Sequence, residues 1–368
     1  MKVLLCSPYK DSPNVAQGGI VVWAQNIMDY YSRSKSDLSI KVVSYDRKVR
    51  QTKKDKIGLF SRFLYGLTDY REAIKETSIE LKREKYDVLH LCTSASISLL
   101  KDIIVLKMAK RKDVKTIVHF HFGRIAELAN KRNWEWKLLC RVLNLADRAI
   151  TMDLKSFSIL KEKGFNHVYY LPNPLSHKII NQIEECRNSI TKENSKLCYV
   201  GHVIPTKGVY ELMEACKGVE GIQLDIVGSV ADDVKERMLK IADGKVNFQF
   251  VGEISHPDVI QELLSSGIFV LPTYTEGFPN VIIESMACGC AIVTTPVGAI
   301  PEMLDINGER PCGLCSEPRD VEALRKNILY FVNNKEVAKE YGERAIQRVN
   351  RLYSISIVWK ELIDIWGC

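Results

Sequence analysis

The stretch "CYVGHVIPTKGVYELMEA", Cys198–Ala215, decides the fold. It reads as a short apolar strand ended by Gly201, a loop holding Lys207 and Gly208, and then a helix. A continuous apolar strand that runs through one loop into a helix is the repeating unit of a parallel sheet covered on both faces. Working outward, the unit recurs at "IQLDIVG" (222–228), "NFQFVG" (247–252), "IFVLP" (268–272) and "AIVTT" (291–295). Upstream the same alternation has already run once. Its strands are "KVLLC" (2–6), "IKVVSY" (40–45), "DVLHL" (87–91), "KTIVHFH" (115–121), "RAITM" (148–152) and "HVYYL" (167–171). Amphipathic stretches at 20–32, 61–85, 134–145 and 154–163 lie between them. Two successive runs predict an α/β protein of two doubly wound, Rossmann-like domains facing across a cleft.

The seam falls in 171–196, where Pro172 and Pro174 stop a strand and a polar helix follows. The expected organisation is a domain over 1–172, a linker over 173–195, a second domain over 196–350 and a terminal helix over 351–368. That last segment, ending "SISIVWKELIDIW", carries so rich an apolar stripe that it must pack on something, and the N-terminal domain is the expected place. After Pro318 the chain reads as helical, with breaks near Asn333 and Tyr353.

The chain has 368 residues, 46% hydrophobic and 26% charged, which suits two globular cores. "MKVLLCSPYK" meets a proline and a lysine too early for a secretory h-region. The two longest uncharged runs, Ser12–Met28 and Ser285–Pro301, are 17 residues each and broken by Gly and Pro, so no membrane span is expected. Eleven cysteines lie scattered, several among apolar neighbours, as expected in a reducing cytoplasm. "CGLC" (312–315) is a single C-x-x-C with no second pair to complete a metal site. The net charge of +7 conceals an asymmetry. Residues 1–170 hold 32 Lys+Arg against 18 Asp+Glu (+14), and residues 171–368 hold 20 against 27 (−7). The first half should be drawn to anionic surfaces; the second needs local groups if it binds an anion.

Ligands of open parallel sheets bind beyond the carboxyl ends of the strands, so loops after strands are where chemistry belongs. After the first strand, Gly18 and Gly19 open a helix without forming G-x-G-x-x-G; they suit a close approach of a phosphate or sugar, or simply a flexible turn. His119 and His121 end a strand and, two apart, share a face; a metal pair there finds no carboxylate or cysteine nearby in sequence to complete it. Lys207, at a helix opening behind Gly201, suits a diphosphate, although a lone loop lysine is more often just solvated. In "TEGFPNVIIESMACGCAIV" (275–293), Pro279 and Asn280 read as a helix start, with Glu276 ahead of it and Glu284 within or just beyond its first turn. Glu284 could merely complement the helix dipole, but the apolar run around it makes it half-buried, and a half-buried carboxylate needs partners.

"GHVIPTKGVYELMEA", "LDIVG" and "FVLPTYTEGFPNVIIESMACGCAIVTTPVGAIPEML" together resemble the C-terminal domain of retaining glycosyltransferases of family 4, with the GT-B fold. Gly18-Gly19, the strand-end histidine and "LPNP" resemble that family's N-terminal half and linker; residues 45–85 show no family motif. The resemblance implies a sugar transfer from a nucleotide-diphosphate sugar, UDP-linked on family frequency, to a glycan or lipid-linked glycan. It implies Glu276 beside the donor sugar, Glu284 on the ribose hydroxyls and Lys207 on the diphosphate. It places the backbone of Gly277, Phe278, Asn280 and Val281 at the sugar and phosphates, with Gly201 and His202 also on the donor. Gly18 and Gly19 would lie under the diphosphate and acceptor. His121 would stand near the reacting carbon, with His119 the alternative register on the acceptor side. The chemistry implied retains the anomeric configuration by same-face attack, needing no carboxylate nucleophile; a lysine and a helix terminus suit the developing phosphate charge. No D-x-D occurs anywhere in the chain, so no metal and no other cofactor is expected.

Two departures stand out. His202 occupies the position where the family has an arginine, exchanging a charged fork for one imidazole. Asn173-Pro174 replaces the family's "NG". On the acceptor side, 46–67 packs seven Lys/Arg against two Asp, with Phe60, Phe63, Leu64 and Tyr65 toward its end. That pattern suits either a solvated face or docking on an anionic inner-membrane surface. A nucleotide-sugar epimerase of the same architecture lacks the acid-rich N-terminal constellation it would need here. A nucleic-acid-binding protein using the basic half shows no recognised module and would leave Glu276, Glu284 and Lys207 idle.

Overall fold

The computed structural model describes residues 1–10, 18–34, 37–45 and 59–367, and side chains within 59–67 lie outside the described set. The chain forms two compact units, Met1–Pro174 with Val358–Cys368, and Leu175–Ile357. The first boundary stands two residues beyond the end of the domain read over 1–172, and the second runs through the last helix, Ile355–Trp366.

In the first unit six parallel strands, β1 (Lys2–Ser7), β2 (Ser39–Ser44), β3 (Val88–Thr93), β4 (Lys115–Phe120), β5 (Arg148–Thr151) and β6 (Val168–Tyr170), lie in the order β2-β1-β3-β4-β5-β6. Helices connect them, as parallel pairing requires. β3 is buried at all six positions, which is why it reads as a largely apolar run, broken by His90, instead of an alternating one. Leu4, Leu89, Leu91 and Val118 lie in the core between sheet and helices.

The second unit repeats the plan with β7 (Glu193–Val200), β8 (Gln223–Val227), β9 (Phe248–Gly252), β10 (Ser266–Leu271), β11 (Ala291–Thr294) and β12 (Gly313–Cys315), in the order β12-β11-β10-β7-β8-β9. Strand β12 lies within "CGLC": Cys312 is buried just before it, and the described cysteines are all free thiols. The polar helix expected after Pro174 is His177–Cys186, capped by Ser176, whose side chain accepts from Ile179 N–H at 3.2 Å. Past Pro318 the helices are Val321–Asn333, Lys335–Leu352 and Ile355–Trp366. The terminal helix buries Val358, Trp359, Leu362, Ile365 and Trp366, and Trp359 lies 5.6 Å from the ring of Tyr30 in the first unit. Among the described residues no helix is long and apolar enough to cross a membrane.

Candidate active site

In the second unit the chain runs outward from β7 through β8 and β9, then returns to place β10 on the other side of β7. Strand order reverses between β7 and β10, and the loops leaving the carboxyl ends at such a switch point are where ligands of open parallel sheets bind. Both loops carry residues flagged by the sequence.

After β7, Gly201 N–H bonds to the carbonyl of Val227 at 3.0 Å, and Tyr199 donates its hydroxyl to the His202 carbonyl at 2.8 Å. The His202 side chain is exposed. A single 3₁₀ turn, Pro205–Lys207, leads to Gly208, whose φ is +72°. A Cβ at Gly208 would stand 2.0 Å from the Pro272 carbonyl oxygen, so only glycine lets this loop lie against the end of β10. Tyr274 N–H then bonds to the Thr206 carbonyl at 2.9 Å. The consequence is a side-chain contact across the switch point: Lys207 Nζ donates to Glu276 Oε1. The two side chains are only 24% and 14% exposed, so the pair is largely sheltered from water.

The third loop of the set, after β11, braces the second. Gly298 has φ +59°, and a Cβ there would meet the Glu276 carbonyl oxygen at 2.3 Å. Ala299 N–H donates to the Gly277 carbonyl at 2.9 Å, holding the Glu276-Gly277 backbone in place. Phe278 is buried with its ring 5.9 Å from Tyr353, and Pro279 precedes the helix Asn280–Ala287. Asn280 and Val281 are half-buried at its first two positions. Amides of a first helical turn have no acceptor within the helix and carry its positive end, which is how such a terminus receives an anion.

Glu284 lies one turn on and is buried, 9% exposed. The partner it needs is a residue that the sequence reading missed. His256 Nε2 lies 3.1 Å from Glu284 Oε1. His256 opens the helix His256–Ser265, capped by Ser255, and looks in sequence like any residue at a helix start. The hydrogen bond that His256 donates to Glu284 raises the His256 pKa above the ordinary imidazole value, against the opposing effects of burial and the Lys178 charge.

In the first unit the switch point falls between β1 and β3. Gly18 caps the helix Gly19–Arg33 with an extended backbone, φ −71° and ψ 154°. A Cβ on Gly18 or Gly19 would meet nothing within 4 Å among the described residues, so the fold itself does not demand either glycine. The histidines gather around one indole. Trp23 stacks on His90 at 5.3 Å and meets His119 edge-on at 4.8 Å and His121 at 5.1 Å. His119 and His121 do share a face, with ring centroids 3.9 Å apart. Both nitrogens of His119, Nε2 of His90 and of His121, and Nε1 of Trp23 are buried without a hydrogen-bond partner among the described residues. Burial holds His90 and His121 down to about pKa 3 and His119 well below the usual imidazole value.

His90, Cys92 and His119 offer ligand atoms within 4.8 Å of one another, a trio in which Cys92 and His90 come from a neighbouring strand that sequence proximity did not reveal. The donor chemistry argues against a metal. Trp366 Nε1 donates to His90 Nδ1 at 2.9 Å, which puts the ring proton on Nε2 and leaves His90 no bare nitrogen for an ion.

Two doubly wound parallel units, with the flagged residues of the second at its switch point, define the architecture of GT-B glycosyltransferases. Residues 182–348 match the family model of glycosyl transferases group 1. The chain is 29% identical over 194 residues to the capsular polysaccharide biosynthesis glycosyltransferase CapM of Staphylococcus aureus, covering 51% of this chain and 50% of that one. It spans about half the length of the first curated relatives it matches. Among solved structures it superposes on sucrose-phosphate synthase of Thermosynechococcus elongatus with a TM-score of 0.73 at 17% identity, covering 99% of this chain and 98% of that one. HepE of Anabaena, solved in complex with UDP, gives a TM-score of 0.69 at 13% identity with 99% of each chain covered.

Proposed function

We propose that the protein is a retaining glycosyltransferase of family 4, moving a sugar from a nucleotide-diphosphate sugar, UDP-linked, to a glycan or lipid-linked glycan acceptor. The observation that carries this reading is the meeting of Lys207 and Glu276 across the β7/β10 switch point, at the start of the helix that bears Glu284. A lysine and a helix N-terminus beside one another supply the local positive potential that a diphosphate requires in a unit whose net charge is negative. In this reading Lys207 and the amides of Gly277, Phe278, Asn280 and Val281 receive the diphosphate and sugar. Glu284 takes the ribose hydroxyls, and Glu276 accepts from hydroxyls of the donor sugar once Lys207 turns to the phosphates. Gly201 and His202 border the donor, and the exposed His202 offers one hydrogen bond where the family has an arginine. The leaving diphosphate takes the acceptor proton on the face it departs from, its developing charge met by Lys207 and the helix terminus, with no metal required. Gly18 and Gly19, where a Cβ would meet nothing among the described residues, keep space open for the diphosphate and acceptor, and His121 serves the reacting end, with His119 the alternative register. A nucleic-acid role is not proposed, since it leaves this constellation without a task.

The relative named for capsular polysaccharide biosynthesis and the UDP complex of a structural neighbour agree with a cell-surface glycan acceptor and a uridine nucleotide. Docking of 46–67 on an anionic inner-membrane surface belongs to the same proposal; residues 46–58 and the side chains of 59–67 lie outside the described set. Co-sedimentation with liposomes should then depend on anionic lipid, and independence from it ends that part of the reading. The donor site is tested by Glu284→Ala: a large loss of nucleotide affinity is expected, and full affinity would overturn the assignment.

A further inference from the structure

The contact between His256 and Glu284 joins two helices that sequence analysis connects in no way, and it falls on the carboxylate proposed to read the ribose. A buried carboxylate must be hydrogen-bonded, so a structural brace is the plainer account of such a pair. Three features point beyond it. First, His256 is itself half exposed (53%) while Glu284 keeps only a small opening (11%), so the pair reaches solvent mainly from the imidazole side. Second, the imidazole engages Oε1, and a carboxylate has acceptor capacity on its second oxygen to spare. Third, the His256 end of its helix is fixed independently of Glu284. Ser255 caps it, and the Gln182 amide bonds the Pro257 carbonyl at 2.7 Å.

We propose that His256 is a positioning residue of the donor site, holding the Glu284 carboxylate in the orientation that presents it to the vicinal hydroxyls of the nucleotide ribose, with the charge on the imidazole setting how firmly. The inference rests on the donor-site reading of Glu284. The groups acting on the imidazole are few. Glu284 faces it from the helix Asn280–Ala287, and Lys178 acts from His177–Cys186. Strand β10 brings no charged side chain. The charged Lys196 of β7 is engaged at the other end of the His256 helix, pairing with Glu262 at 2.7 Å. The Asp258 carboxylate, on the same turn as His256, is bonded to Ser255 Oγ at 2.5 Å.

The sign follows from the linkage. Because Glu284 raises the folded pKa, the charge-assisted bond is fully present below the unfolded imidazole value and is lost as pH rises through the raised one. A nucleotide diphosphate also prefers the cationic ring nearby. Affinity should therefore fall with rising pH.

Calorimetric titration of the full chain with UDP-glucose, GDP-mannose and ADP-glucose, whose diphosphate diesters do not ionise in this range, measures the effect. For the nucleotide sugar that binds, the wild type is expected to lose roughly fivefold in affinity between about pH 6 and about pH 8. His256→Gln, which keeps a donor N–H but cannot charge, should bind within about threefold of wild type at the higher pH and show a flat profile. His256→Leu should be flat and weaker by about tenfold. A Gln variant that keeps the wild-type pH dependence overturns the proposal, as does a Leu variant that binds like wild type; should the Leu protein fail to fold, the Gln profile decides alone. If no nucleotide sugar binds the wild type, the donor-site reading falls and the inference with it. That failure is visible before any variant is made, so the two outcomes are distinguishable.

Discussion

Lys207→Met keeps the length of the side-chain stem and removes its charge. In the ligand-free protein the change strands Glu276, whose carboxylate is 14% exposed and hydrogen-bonded to Lys207. A pair this sheltered lies between surface ion pairs, worth about 0–1 kcal/mol, and buried ones, whose rupture costs about 3–5 kcal/mol. Loss of about 1–2 kcal/mol from the stability of the second unit is the expected result. The effect on binding is separate and larger. One charge-assisted bond to a diphosphate is worth about 1.5–3 kcal/mol, so affinity should fall about ten- to hundredfold. Glu276→Gln is the informative counterpart. It costs similar stability, yet it removes a negative charge that repels the diphosphate and competes for Lys207. UDP affinity should hold or improve by a few fold while sugar transfer declines. Urea denaturation and titration calorimetry on both variants read the two effects independently. If Glu276→Gln weakens UDP as much as Lys207→Met does, the pair is a brace of the fold and the reasoning is wrong.

Gly208→Ala should destabilise the second unit by about 2–4 kcal/mol in urea, because φ +72° and a Cβ 2.0 Å from the Pro272 oxygen cannot both be kept; an unchanged midpoint would mean that the loop lies elsewhere. The buried neutral histidines make the first unit acid-labile. With His90 and His121 held down to about 3, the unfolded chain takes up protons below about pH 6.5 that the folded one refuses, so roughly 2–4 kcal/mol should be lost between about pH 7 and pH 5. A shallower acid slope in His121→Asn would agree, and an unchanged one would not. Trp366→Phe deletes the donor to His90 Nδ1 and should cost about 1–2 kcal/mol on chemical denaturation. No loss would show that the terminal helix holds by its apolar face alone.

The parallel α/β plan was legible because strands covered on both faces are apolar along most of their length, as β3 and β10 are. Strand β12 was not, since three residues, the last of them the second cysteine of "CGLC", show no period and read as chemistry before they read as structure. The helix Ser98–Lys110 was missed for a related reason: Leu99, Val105, Leu106 and Ala109 are buried while Leu100 and Ile104 are exposed, and buried Lys101 and Asp102 break the stripe. Within the candidate site, residue types adjacent to a strand end or helix start were readable, including Lys207, Glu276 and Glu284. Their pairing was not. Lys207 and Glu276 are 69 residues apart, and their meeting depends on Gly208 and Gly298 admitting loop against loop. His256 and the Trp23, His90 and Trp366 surroundings of the strand-end histidines likewise arise from packing between elements, for which a single sequence carries no mark.

The most direct test of the central claim is turnover of nucleotide sugars by the purified protein, with products followed by NMR. Slow hydrolysis of one nucleotide sugar, UDP-linked, is expected, releasing the sugar first in the anomeric configuration of the donor, and abolished by Glu284→Ala. No turnover and no thermal stabilisation by any nucleoside diphosphate, alongside a mobility shift with nucleic acid, would contradict it.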